Sequence, residues 1–222
     1  MEYHTRRLAK AAPHVSQQSL TEWLRETTRE RHNELDTSPV LRELLRPGLS
    51  IERYYHVMQA MWQAHDLAEH YLNLCSAGCP VELSPYVSRC SALEHDLHTL
   101  QRLVNTTNAP ILSSMPKKKR VKIQDKNDTK DDIKSYYLGL RYVFEGATLG
   151  SRVIATQLSK NCPDIKDNCF EYWQLQSSLA NNWHAICDTL NRNQHQLTTA
   201  AVHNGADKAY YCFLNVFRSG TL

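Results

Sequence analysis

The stretch SLTEWLRETTRERHNELD, residues 19–36, decides how this chain is read. Its apolar residues Leu20, Trp23, Leu24 and Leu35 keep helical spacing, and Ser19 with Glu22 forms a capping box at the start. One helix is predicted, from about Ser19 to near Thr37. Leu24, Thr28, His32 and Leu35 share one face of it, so an imidazole is expected to point inward. Asp36 follows on the same face. Its carboxylate can take one ring N–H of His32, fix the tautomer and leave the other nitrogen a better ligand. This is the pattern of a metal-binding histidine, although a core histidine satisfied by a local carboxylate has the same spacing.

Outward from this stretch the helical period continues and strict alternation is absent, which predicts an all-α fold. Ser38-Pro39 supplies an N-cap and first helical position for a short helix that Pro47-Gly48 ends. Ser50 begins another, with Ile51, Tyr54, Met58, Met61, Trp62, Ala68 and Leu72 on one stripe. Ser84-Pro85 repeats the start signal for a helix reaching about Val104. Residues 105–130 hold two prolines and a basic cluster and read as a long loop. A long helix is expected from about Asp131 to Lys160, then one carrying Phe170, Trp173, Ala180, Trp183, Ile186 and Leu190. The last, after Asn204-Gly205, carries Ala206, Ala209, Tyr210, Phe213 and Phe217. The expected organisation is a tail over 1–16 and a single domain over 17–222.

Composition narrows the classes of function. With 222 residues, 41% hydrophobic and 22% charged, the chain can bury one substantial core. A net charge of +3 falls short of the basic excess of a nucleic-acid-binding domain, so nucleic acid is not an expected partner. Seven cysteines, an odd number without repeated CxxC spacing, read as reduced thiols; Cys75 and Cys79 could share a metal only if two further ligands converged. No secretory signal and no run of membrane-spanning length is visible, and a soluble, cytoplasmic protein is expected. Pro116-Lys-Lys-Lys-Arg-Val-Lys122 resembles a basic nuclear-localisation signal, which would bring a nuclear import factor as partner and a nuclear address; a solvated loop has the same composition. Asp66 with His70, and Glu94 with His98, pair carboxylate and imidazole, but a di-iron centre needs Glu-x-x-His pairs on facing helices, and no complete set exists.

Three of the seven glycines, Gly139, Gly146 and Gly150, fall inside the predicted long helix. Each interior glycine costs about 0.8–1.0 kcal/mol relative to alanine, so the helix must gain something in return. Gly146 and Gly150 leave one face bare for a full turn, where the backbone can approach a flat object or another helix.

Two stretches carry a family resemblance. LRETTRERHNELD, residues 24–36, resembles the proximal helix of heme oxygenases, and YVFEGATLGSRVI, residues 142–154, resembles their distal helix. Weaker similarity continues through 51–75 and 205–217, and the soluble bacterial branch, which includes suppliers of bilin to phytochromes, is the nearest in pattern. The resemblance implies a helical fold with heme between the two helices. It makes His32 the proximal iron ligand with Asp36 behind it, Gly146 and Gly150 the catalytic distal wall, and Arg25 and Arg29 the partners of the heme propionates. Tyr210 and Phe213 match aromatic pocket positions, and Ala147 is expected to line the pocket. His65, on the apolar stripe of its own helix, is read either as a pocket residue or as a hydrogen-bonded core histidine. A further propionate contact falls to His184 or Arg192 as guesses. The implied reaction is oxidative opening of heme to biliverdin with release of carbon monoxide and ferrous iron. It uses O2 and an external reductant, delivered by a donor such as a ferredoxin or flavin reductase. Two departures stand out: Ala147 replaces a carboxylate found in animal-type members, and Ser151 stands where many members have glycine. A weakly active or inactive heme- or bilin-binding interaction module is the alternative that these departures and the basic run leave open.

Overall fold

A computed structural model describes residues 18–106 and 130–219. The predicted tail, the basic run at 116–122 and its presumed role lie outside the described residues. Ten α-helices and no strand occur among the described residues.

The stretch at residues 19–36 forms two helices instead of one, α1 (Leu20–Thr27) and α2 (Arg29–Asp36). The Ser19–Glu22 capping box is present in full. The break at Thr28 has a local cause. Thr28 Oγ1 donates to the Leu24 carbonyl at 2.7 Å and Thr27 Oγ1 to the Trp23 carbonyl at 3.0 Å. Threonine hydroxyls that bond back to these carbonyls bend a helix. Thr28 consequently has φ −101° and ψ 3°.

The next two helices follow their signals. Ser38 caps α3 (Pro39–Leu44) with Pro39 in its first turn, and Ser50 caps α4 (Ile51–Leu74). Gly48 supplies the positive φ of 72° between them. A 3-10 turn at Ser76–Gly78 ends α4, and α5 (Cys90–Thr106) starts several residues later than Ser84-Pro85 signals. The delay comes from buried polar groups. Glu69 of α4 takes hydrogen bonds from Tyr86 Oη, Ser88 Oγ and the Arg89 backbone N–H, while Arg141 donates to the Ser84 carbonyl, so residues 84–89 are held out of helix.

The long helix α6 (Lys130–Asn161) matches expectation. Where one helix was expected next, there are three: α7 (Pro163–Asn168), α8 (Glu171–Ser178) and α9 (Asn181–Arg192). Ser177 and Ser178 turn their hydroxyls onto the carbonyls of Trp173 and Leu175 where α8 ends. The last helix, α10 (Thr199–Ser219), contains Asn204-Gly205 instead of following it. Gly205 is there for contact. A Cβ on it would meet the Tyr136 carbonyl at 2.1 Å, and one on Gly139 would meet the Val202 carbonyl at 1.9 Å. The two glycines let α6 and α10 cross backbone to backbone.

The core lies between α4, α6 and α10, with Tyr54, Met58, Leu72, Leu138, Phe144, Val202, Ala209 and Phe217 buried. It also holds charge. Glu145 is fully buried and binds Arg89 at 2.8 Å and Arg141 at 2.9 Å, and both guanidinium groups lie near the Tyr86 ring. By contrast α2 buries no residue of its own; it is tied to α10 by the exposed pairs Arg31–Asp207 at 3.1 Å and Glu34–Arg218. Among the described residues no helix is long and apolar enough to cross a membrane.

Candidate functional site

Because α2 and α6 both rest on α10, a cleft remains between them, with a volume of about 710 Å³. That is the size of a pocket for a small molecule or cofactor. One wall, from α1 and α2, presents Arg25, Thr28, Arg29, His32 and Asp36; the facing wall, from α6, presents Tyr142, Gly146, Ala147, Gly150 and Ser151. His65 of α4, Tyr172 of α8 and the α10 residues Tyr210, Phe213 and Phe217 complete the lining, and Trp183 of α9 closes one side.

His32 Nδ1 lies 3.1 Å from Asp36 Oδ2. An ionised carboxylate can only accept, so the Nδ1–H is donated to Asp36 and a neutral imidazole keeps its lone pair on Nε2. The expectation of a simply buried histidine is revised: the side chain is 58% exposed, opening on the cleft beside the Tyr210 ring. Leu35 packs against the core from this helix, while His32 faces the cleft. Arg25 and Arg29 stand on the same wall, exposed, and neither has a salt-bridge partner among the described residues. Arg25 is close enough to the Tyr142 phenol to bond with it. The wall thus offers two cations and one lone-pair nitrogen.

The facing wall shows what its glycines are for. A Cβ on Gly150 would meet nothing within 4 Å, and one on Gly146 would meet only the Trp183 ring, at 3.0 Å. Gly139 is where α6 crosses α10, and Gly146 also makes room for the Trp183 ring of α9, whereas among the described residues no neighbouring helix explains Gly150. The bare face of Gly146 and Gly150 opens on the cleft. The floor is aromatic, with the His65 ring 4.9 Å from Phe213 and edge-on to it. Burial, with the nearby Arg89 charge, lowers the His65 pKa to about 3, so its imidazole is neutral. Burial likewise raises the Tyr210 phenol.

His32, Asp36, Arg25, Arg29, His65, Gly146, Ala147, Gly150, Tyr210 and Phe213 therefore meet at one cleft. His184 and Arg192 do not; α9 contributes Trp183 in their place. The sequence reading missed Trp183 and Tyr172. Tyr172 with Gln176 was a detectable sign, since a phenol and an amide four residues apart on a buried helix bond to each other.

No di-iron arrangement forms among the described residues. Among the described residues one group of three or more potential ligands converges, His95, Asp96 and Glu171, and Asp96 is occupied in accepting the Glu171 and Tyr172 backbone N–H groups at the start of α8. Glu94 accepts from the Trp62 indole, and all seven cysteines are free thiols.

The chain matches the family model described as heme oxygenase over residues 18–219. No curated protein and no solved structure gives a match.

Proposed function

The chain belongs to the heme oxygenase family, and on that premise we propose that it binds heme between α2 and α6 and opens it to biliverdin, releasing carbon monoxide and ferrous iron. Membership by itself supports a heme-binding or heme-degrading function. The observation that carries the finer reading is the pairing of two unlike walls: the Asp36-oriented His32 on one side and the bare Gly146–Gly150 face on the other.

The lining suits heme in its chemistry. A neutral imidazole nitrogen is an iron ligand, two guanidinium groups without a salt-bridge partner among the described residues suit two carboxylates, and an aromatic and aliphatic floor suits an apolar macrocycle. In this reading His32 holds the iron through Nε2 and Asp36 keeps the ring in the ligating tautomer. Arg25 and Arg29 anchor the propionates. Gly146, Ala147 and Gly150 let the α6 backbone close on the other face, and His65, Tyr210 and Phe213 exclude water from the floor. Bound heme supplies the iron at which O2 is reduced and the ring carbon that is attacked, with electrons from an external donor of the ferredoxin or flavin-reductase class.

The test is to add heme to purified protein and follow its absorption spectrum before and after supplying a reductant. His32→Ala should abolish the histidine-ligated spectrum and bilin formation. An unchanged spectrum in that variant refutes the assignment, and heme binding without bilin formation in the parent refutes turnover.

A further inference from the structure

Behind the apolar lining of the cleft, three buried polar side chains from two helices meet at one oxygen. The Tyr172 hydroxyl lies 3.1 Å from Nε2 of His65 and accepts a hydrogen bond from the Gln176 side-chain amide at 2.8 Å. Nδ1 of His65 is buried without a hydrogen-bond partner.

That orphan sets the direction of the chain of bonds. A proton on Nδ1 would bury an N–H with no acceptor, whereas a proton on Nε2 leaves only a lone pair unpaired, the lesser penalty. His65 therefore donates from Nε2 to the phenol oxygen. Gln176 donates to the same oxygen, and both of its lone pairs are then filled. The Tyr172 proton has to be given away. Tyr172 lines the cleft, so an acceptor bound there can take it. Burial pushes the Tyr172 pKa up to about 12, so the phenol keeps its proton at neutral pH.

We propose that Tyr172 is a positioning residue of the cleft, a hydrogen-bond donor that His65 and Gln176 leave free for an acceptor atom of a small ligand bound beside it. The part concerning a bound ligand rests on the heme reading; the direction of the hydrogen bonds does not.

Two measurements test it separately. In protein without added heme, nitrogen-15 NMR of the histidine rings, assigned with His65→Gln, should show His65 as the neutral Nε2–H tautomer, and an Nδ1–H tautomer overturns the proposal. In heme-loaded protein, carbon monoxide is the probe. Tyr172→Phe should move the C–O stretching band to higher frequency, because a donor near the probe is lost. Gln176→Leu should move it the same way, although Gln176 does not line the cleft, which a purely structural role would not do. An unmoved band in both variants overturns the proposal, and should Tyr172→Phe fail to fold, an unmoved band in Gln176→Leu does so alone. If the parent protein takes up no heme, the heme reading falls while the tautomer still decides the direction of the bonds.

Discussion

Alanine at Gly139 and alanine at Gly150 are the same substitution in the same helix, and they should have opposite effects. At Gly139 the new methyl would sit 1.9 Å from the Val202 carbonyl and 2.9 Å from the Ala206 nitrogen, both backbone atoms of α10. Restoring ordinary contact moves the two helices apart by roughly 1.5 Å. Overpacking costs about 1–3 kcal/mol, and backbone that cannot rotate away puts this site at about 3. Gain in helix propensity returns about 1 kcal/mol, for a net loss of about 2. At Gly150 a Cβ meets nothing within 4 Å, so the propensity gain stands alone and stability rises by about 0.5–1 kcal/mol. The assay is urea unfolding of the ligand-free protein followed by circular dichroism. With a slope of about 2 kcal/mol per molar, Gly139→Ala lowers the midpoint by about 1 M and Gly150→Ala raises it by about 0.3–0.5 M. A midpoint raised by Gly139→Ala, or lowered by Gly150→Ala at unchanged slope, refutes the division of labour between the two glycines.

Glu145→Ala leaves Arg89 and Arg141 buried without their shared carboxylate, and should destabilise by about 3–5 kcal/mol; a loss below about 1 kcal/mol in the same urea assay would show that water or another group compensates. His65 gives a pH dependence of known sign. Its folded pKa of about 3 lies below the ordinary 6.5, so below pH 6.5 the unfolded chain binds a proton that the native state refuses. Stability falls as pH drops from 6.5 toward 3, by about 2 kcal/mol at pH 5, and His65→Leu should flatten the curve between pH 7 and 5 by that amount. Equal slopes in parent and variant sink this account.

The parts of the fold that were legible in the sequence are those whose causes are local. Ser19 with Glu22, Ser38-Pro39 and Ser50 announce helices through bonds that span one turn, and those helices start where the signals stand. Ser84-Pro85 gives the same signal and no helix begins there, because Glu69 and Arg141, from α4 and α6, claim the segment's polar groups. Asn204-Gly205 reads as a helix boundary until Gly139 is placed beside it. The candidate site divides in the same way. His32 with Asp36, and Gly146 with Gly150, are each within a turn of one another and could be found by spacing. Tyr172 acquires its significance from His65, which lies on another helix.

The helix that carries His32 and Asp36 has no fully buried residue: Leu35 packs partly against the core, His32 meets the Tyr210 ring, and its two ion pairs to α10 are exposed and worth at most about 1 kcal/mol each. Its order is therefore cheap to lose while the rest of the protein stays folded, and amide protons of residues 29–36 should be among the first to exchange. A molecule gripping this helix and α6 together would add to the partial packing that Leu35 gives it. Part of its binding free energy would then appear as local ordering, so occupancy of the cleft and persistence of this helix would rise together by mass action.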